Sequence, residues 1–444
     1  VEVKDMLEII DDRETYLSDF GRIEKDQTPF WLTRVRKKAI ERFDKLGFPT
    51  LRNEEWRFTN LAPLTKVPFR LASDDGDGLP EPQVSAWAGA ASCRLVFVNG
   101  RYAPQMSRPG RLPAGVVLGN LAAHLHEEWV QQHLTRHALF QDHSFTALNT
   151  AFFQDGAILF LPRGQVAPEP IHLVFISTVP GEPTVSHPRN LIVAGAGSQA
   201  AIVETYLGRD GDVYLTNTVT EVVAEESAVI DHYKIQEESL DAFHVATLQV
   251  RQGKGSRFTS CSVALGAALA RNEINAGFAA EGGECTLNGL YMATGQQLID
   301  NHTVIDHAQP RCASHELYKG ILAERSRGVF SGKIYVRQDA QKTDAKQTNQ
   351  TLLLSEDATI NTKPQLEIYA DDVKCTHGAT VGQLDEEALF YLRSRGIGRA
   401  EAKSLLTFAF ANDIIGRIKV DSIRAGLEER LLVAEHLPPE RETT

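Results

Sequence analysis

From about Ser144 to Gln383 the chain runs in short stretches of period-two alternation, separated by Gly, Asn or charged turns, with no convincing helix of ten residues. In Val229-Ile230-Asp231-His232-Tyr233-Lys234-Ile235 the apolar Val229, Tyr233 and Ile235 fall on one face together with Asp231. Ile274, Ala276 and Phe278 alternate in the same way, as do Leu287, Gly289 and Tyr291. So much strand is hard to fit around one sandwich core, whereas stacked coils lengthen without outgrowing theirs. The length favours a β-solenoid, but strand spacing leaves the sandwich open and no crisp repeat motif decides between them.

The flanks have a different texture. Thr33 to Lys45 reads as a helix in which Val35, Ile40 and Phe43 punctuate Arg and Lys. Ser73 to Pro82, rich in Gly, Pro and Asp, reads as a loop. Leu95 to Asn99 reads as a strand, and His124 to Leu139 as a helix. After breaks at Gly396 and Gly398, Leu406, Phe410, Ile414 and Ile418 recur at spacing four, flanked by Leu405 and Ile415, and predict one apolar helical stripe. A last helix is expected from Arg424 to Leu437, stopped by Pro438 and Pro439. The expected domains are 1–143, helical or mixed; 144–383, the β core; and 384–444, helical.

Charge and cysteine usage narrow the function. A formal net charge of −12 argues against a nucleic-acid partner, since phosphate binding needs a basic face. Five cysteines (Cys93, Cys261, Cys285, Cys312, Cys375) are scattered and form no CxxC pair, which predicts reduced thiols rather than disulfides or a permanent cluster site. No apolar run approaches the ~20 residues that span a bilayer, and the charged stretch Val1 to Asp12 has no signal-peptide core. The expected location is the bacterial cytoplasm, with the plastid stroma as the alternative.

Several motifs compete for a functional reading. Gly195-Ala196-Gly197-Ser198-Gln199-Ala200 matches a GxGxxA dinucleotide fingerprint after the apolar run Leu191-Ile192-Val193, and carries the alternative of a nucleotide-dependent oxidoreductase. That motif requires a helix opening at its third position, whereas Ala201 to Leu207 is short and β-branched, so turn glycines between coils explain it more simply. No GxxxxGK[ST] loop occurs; Gly332-Lys333 lacks its flanking residues, so any ATP hydrolysis must come from a partner. His302, Asp306, His307, Cys312 and His315 gather metal-ligand types, but His302 and His307, five apart, face opposite sides of a strand. Asp371 and Asp372 are adjacent, so they cannot face each other across a groove as glycosidase carboxylates do. In Cys375-Thr376-His377 the outer two residues share one strand face, with Cα atoms roughly 6.5 to 7 Å apart. A thiolate and an imidazole side by side suit a borderline-soft metal such as iron. Tyr391, Arg393 and Arg395 combine an aromatic anchor with cations, a composition enriched at interfaces.

The run TKPQLEIYADDVKCTHGATVG (Thr362 to Gly382), followed by LFYLRSRGI (Leu389 to Ile397), closely resembles SufD proteins of the SufB/SufD family. NEEWRFTNL (Asn53 to Leu61) and Leu317-Tyr318-Lys319-Gly320 add to the resemblance. It implies a right-handed parallel β-helix core between N-terminal and C-terminal helical parts. It further implies a non-enzymatic scaffold subunit that pairs with a SufB-like partner, docks a SufC-like ATPase through its C-terminal helices, and forms a homodimer when isolated. On this resemblance His377, with Cys375 beside it, matches the residues tied to a transient iron–sulfur cluster at the partner interface. No cofactor is expected to be stably bound by this chain alone; a flavin is associated with the family's complex, and nothing in the sequence locates it. The sulfur-accepting NYSQC-like run of SufB has no counterpart, because Lys346-Gln347-Thr348-Asn349-Gln350 carries no cysteine. Tyr391, Arg393, Arg395, Leu406 and Phe410 are the expected ATPase-docking residues.

Overall fold

The computed structural model describes residues 13–23, 28–72 and 93–432. The loop expected from Ser73 to Pro82 lies outside the described residues. The molecule is mainly β, a parallel solenoid of eight coils with two strands in each, flanked by helices at both ends of the sequence. The first coil holds Ala157–Leu161 and Ile171–Ser177, and the eighth holds Thr359–Ile368 and Lys374–Gly382. One strand of each coil joins a first sheet and the other a second, and within each sheet successive coils pair in parallel.

Corners between the sheets repeat one geometry. Gly197, Ser227, Gly255, Gly282, Arg311 and Lys342, one per coil, take positive φ, and the N–H of each donates to a corner carbonyl of the next coil. Glu226, Lys254, Glu281, Pro310, Gln341 and Asp372 supply those carbonyls in turn. Corner length varies, however. Register partners lie 26 positions apart where Phe243 pairs with Leu269, and 32 apart where Arg327 pairs with Thr359. A ladder that fixes geometry but not length leaves no period for the sequence to display.

The lumen is filled from both sheets by Ile192, Val222, Val250, Ala276, Ile305 and Phe330 against Ile202, Ile230, Phe258, Leu287 and Tyr318. Each outer face is covered by a different flank. Trp56, Leu61, Leu64, Phe69 and Phe145 pack on Val185, Leu215, Val245 and Leu269 of the first sheet. Ala411, Ile414, Ile415, Ile423 and Leu427 pack on Val203, Tyr233, Ile235, Val263 and Leu290 of the second. Strands covered on both faces bury continuously, as Ile171–Ser177 and Tyr214–Ala224 do, the latter with polar residues such as Asn217 and Glu221 among those buried, which is why alternation is faint in the early coils.

Three expected helices differ in extent. Thr33 to Lys45 lies within the helix Phe30–Leu46. The stretch His124 to Leu139 keeps only the single turn Glu128–His133 and the preceding Leu121–His124, because Thr135 takes positive φ. Its backbone donors are diverted: the buried Glu221 carboxylate accepts the N–H groups of Thr135, His137 and Ala138 and pairs with buried Arg189 at 3.1 Å. The last helix starts at Asp421 rather than Arg424, and its expected end at Leu437 lies outside the described residues.

The segment NEEWRFTNL is a latch that holds the N-terminal part to the first sheet. Trp56 lies under the Arg271 guanidinium at 3.7 Å from its ring centre, and Arg271 donates to the Glu55 carbonyl at 2.8 Å. Arg271 is fully buried between Glu273 at 2.6 Å and Asp300 at 2.5 Å, while Thr59 donates to Asp300 at 2.6 Å. His302 bridges the two parts, with Nε2 2.9 Å from Asp300 and Nδ1 3.3 Å from Glu55. Burial opposes the imidazolium, but Asp300 and Glu55 outweigh it and raise the His302 pKa. Asp300 is lowered to about 2: Arg271 and His302 overcome its burial. His302 thus contributes stability that is complete below about pH 6.5 and lost as pH rises through its folded pKa, whereas Asp300 contributes above about pH 4 and is lost as pH falls toward 2. Thermal unfolding should therefore show greatest stability of this latch between about pH 4 and 6.5. Asp300→Asn, which leaves Arg271 short of a partner, should cost about 3 kcal/mol in denaturant titrations.

Candidate functional site

The two ends of the solenoid are finished differently. At the start, Val117–Asn120 pairs antiparallel with the first-sheet strand Ala157–Leu161, and Arg94–Val98 pairs with Ile171–Ser177 of the second. At the far end Thr359–Ile368 and Lys374–Gly382 are the last strands of their sheets, and among the described residues no strand covers either outer edge. These edges present backbone donors and acceptors in the manner that recruits another chain. Ile368, Tyr369 and Val381 stand exposed along the rim.

Cys375 and His377 lie on Lys374–Gly382 in register with Ala345 and Gln347, so both face the continuation of the lumen. Cys375 is half-buried among Ala345, Leu366 and Val373, and His377 is exposed. Burial and then Asp344 push the Cys375 thiol up, so a metal ion taking its sulfur must displace a proton. The other four cysteines are buried, and burial also raises their thiols, with Cys93 near 11 and Cys261 near 12. The open end is thus where a thiol and an imidazole come to the surface together.

The helices after the solenoid place the expected docking residues. Asp385 caps Glu386–Ser394 by accepting from the N–H groups of Glu387 and Ala388. On that helix Leu389 is buried, while Tyr391 is 55% exposed with Arg395 over its ring at 4.5 Å, and Arg393 is exposed. Phe390, 74% exposed, was not among the sequence candidates; only the burial of its neighbour Leu389 shows which way it faces. The helix Arg399–Ile415 buries Ala402, Ser404, Thr407, Ala411, Ile414 and Ile415, leaving Leu406 and Phe410 half-buried and Leu405 exposed. The expected stripe is therefore split: Ile414 and Ile418 are buried against the sheet, Leu406 and Phe410 line the margin, and Ile418 lies beyond the helix end at Gly416.

Leu317-Tyr318-Lys319-Gly320 explains itself on this unit. Tyr318 fills the lumen over Gly289, and Lys319 points outward, only 6% exposed. Its ammonium donates to the Phe410 carbonyl at 3.2 Å, pairs with Asp413 at 2.9 Å and lies 4.4 Å from the Phe410 ring centre. Lys419 to Asp231 and Arg430 to Glu237, both 2.9 Å, fasten the same unit to earlier coils.

The competing motifs are dispersed. Gly195 to Ala200 is a coil corner: the strand Gln199–Gly208 follows it, not a helix, so the dinucleotide fingerprint that carried the oxidoreductase alternative is not formed. Gly195 is required because a Cβ there would meet the Leu161 carbonyl oxygen at 2.7 Å, and Gly197 has φ of 69°. His302 belongs to the latch, Asp306 pairs with Arg337 at 2.6 Å, and His307 is buried against Ser314 at 2.8 Å. Cys312 is buried and His315 exposed. Among the described residues no group of three or more His, Cys, Asp or Glu side chains is placed to hold a metal ion. Asp372 pairs with Lys342 in the last corner.

The stacked coils, helical flanks and open sheet end place the chain among β-solenoid proteins, and comparison with known proteins gives the family. Residues 175–410 match the SufBD core domain of the SUF system for FeS cluster assembly, and residues 13–173 match the SufBD N-terminal region. A SufBD family iron–sulfur cluster assembly protein of Synechocystis is 35% identical over 412 residues, covering 90% of each chain. The Escherichia coli iron–sulfur cluster assembly protein SufD is 30% identical over 406 residues, 90% of this chain and 92% of its own. The chloroplastic protein ABCI7 of Arabidopsis is 30% identical over 407 residues, 88% and 84% of the two chains. The chain belongs to the SufBD family of iron–sulfur cluster assembly proteins.

Lys319→Met should free the C-terminal helices without unfolding the solenoid, because it removes the cation that ties Asp413 and the Phe410 carbonyl to the sheet and leaves Asp413 paired with Arg417 of its own unit. Faster amide exchange confined to the helices Arg399–Ile415 and Asp421–Leu432 is the expected result.

Proposed function

We propose that this chain is a SufD-type, non-catalytic scaffold subunit that pairs with a SufB-like protein and docks a SufC-like ATPase. The observation that carries the reading is the open end of the solenoid, where two uncovered strand edges frame His377 and Cys375. Edge strands of a partner solenoid continue both sheets there by backbone pairing, and Ile368, Tyr369 and Val381 supply apolar contact. His377 offers a nitrogen ligand to iron arriving as cargo. Cys375 serves as a second donor once its proton is lost, and the partner supplies the remaining donors. The chain lacks a phosphate loop, so the energy input enters through the helical unit, where Phe390, Tyr391 and Arg395 present an aromatic and cationic surface to the ATPase. A transient cluster at that interface, with no cofactor resident in this subunit, follows from the small number of donors it brings.

The test is purification of the chain with its SufB-like and SufC-like partners. His377→Ala should leave the complex intact and lower its iron and sulfide content at least about tenfold, a loss typical of a damaged metal site. Cys375→Ser should lower it less. Failure of the wild-type chain to form the complex overturns the scaffold reading. Phe390→Asp combined with Tyr391→Ala should cost the ATPase contact at least about 2 kcal/mol, measured by calorimetry, while pairing with the SufB-like partner persists.

A further inference from the structure

Below His377 the lumen holds a polar column that nothing in the family reading assigns. Glu316, Gln347 and His377 are register partners on three successive strands of the second sheet, spaced by about 4.8 Å from one strand to the next. Glu316 is 3% exposed and Gln347 1%. The Gln347 Nε2 donates to Glu316 Oε2 at 2.5 Å. A carboxylate only accepts hydrogen bonds, so this contact fixes which way the amide is turned. The other end of that amide, Oε1, is buried and has no partner, which is costly for a carbonyl oxygen.

Gly332 on the first sheet makes the arrangement possible. A Cβ at Gly332 would collide with the Gln347 amide, so the side chain reaches across the lumen only because residue 332 has none. Gly332 was set aside in the sequence as half of an absent phosphate loop; its role here is steric. The titratable groups facing Glu316 are Tyr318 on its own strand and Cys285 on the strand beneath, both kept neutral as burial raises them. On the first sheet it faces the Thr303 hydroxyl. Burial pushes the Glu316 carboxyl up to about 7, opposed by the Gln347 amide and by the nearby Thr303 hydroxyl, so it is ionised in mildly alkaline solution.

One coil above the orphaned oxygen stands His377, which has no hydrogen-bond partner among the described residues. We propose that Gln347, held by Glu316, is the positioning residue for His377: its amide oxygen accepts the N–H of one imidazole nitrogen and leaves the other facing out of the solenoid, free to bind a metal ion. A turn of the exposed imidazole inward joins the two unpartnered groups. The step involves no covalent change; it selects one tautomer of a neutral ring. Its use in cluster formation rests on the function proposed above, but the tautomer itself does not.

The experiment is nitrogen NMR of the full chain labelled with 15N-histidine at pH 8, with the His377 ring signals assigned by their loss in His377→Asn. The tautomer ratio of His377 in the wild type should differ about fivefold from that in Gln347→Met, the ratio set by one hydrogen bond of about 1 kcal/mol. Glu316→Gln keeps an acceptor oxygen for the Gln347 amide and should match the wild type. Glu316→Met and Gly332→Ala, which release or displace that amide, should match Gln347→Met. A ratio unchanged in Gln347→Met, or in Glu316→Met should the former not fold, overturns the positioning role. If the ratio shifts as stated but iron content of the complex is indifferent to His377→Ala, the function proposal falls and the positioning role stands. An unchanged ratio with iron content dependent on His377 gives the reverse.

Discussion

Parallel coils satisfy their backbone only through their neighbours. Alternate residues of each solenoid strand exchange N–H and carbonyl bonds with the coil before and the coil after, and the corner residues add a further bond from coil to coil. Such a stack must stop somewhere, and whichever strand comes last has an edge with nothing on it. At the first coil the chain closes this edge itself, with Val117–Asn120 and Arg94–Val98. At the eighth, no strand among the described residues does so. The position of Cys375 and His377 on that last strand follows from this single asymmetry, as does the exposure of the rim beside them.

The same architecture explains why the helical flanks are not interchangeable. Each sheet has one outer face, and each flank takes one of them. Both contacts are apolar in bulk and contain a buried cation: Arg271 on the first sheet, Lys319 on the second. A buried cation tolerates little rearrangement, since its partners must move with it. Glu55 and Asp413 are those partners' links to the flanks, so each flank is held in one register against the coils. Lys319 sits two strands from the edge that carries His377, within the same sheet, so displacement of the C-terminal helices acts on a rigid element that ends at the site.

The lumen is less apolar than its packing suggests. His232 lies 3.4 Å from Glu204, His244 2.7 Å from Glu238, and Lys234 donates to Asn272 at 2.5 Å, all inside the coils. Burial, partly offset by Glu204 and Glu238, lowers the Lys234 pKa to about 8. Charged residues facing inward next to apolar ones blur the alternation that marks a strand. The sequence segment Val229 to Ile235 shows the effect: its apolar set Tyr233 and Ile235 faces the C-terminal helices, and Ile230, His232 and Lys234 face the lumen. A simple rule of apolar inside and polar outside assigns that strand backwards.

What the sequence alone determined is everything that local pattern and motif chemistry control: an extended β region, its helical flanks, the absence of a phosphate loop, and the Cys375–His377 pair on one strand face. Period-two alternation and residue identity are local properties, so they survive without knowledge of neighbours. The tertiary structure decided which neighbours exist. Coils offset by anywhere from 26 to 33 residues bring Glu316, Gln347 and His377 into one column, and the flanks packed on them carry Glu55 to His302 and set Lys319 against Asp413. The Glu221 carboxylate ends a helix that local propensity would have continued. Contacts of this kind depend on corner lengths that leave no periodic mark, and so they appear only when the coils are stacked.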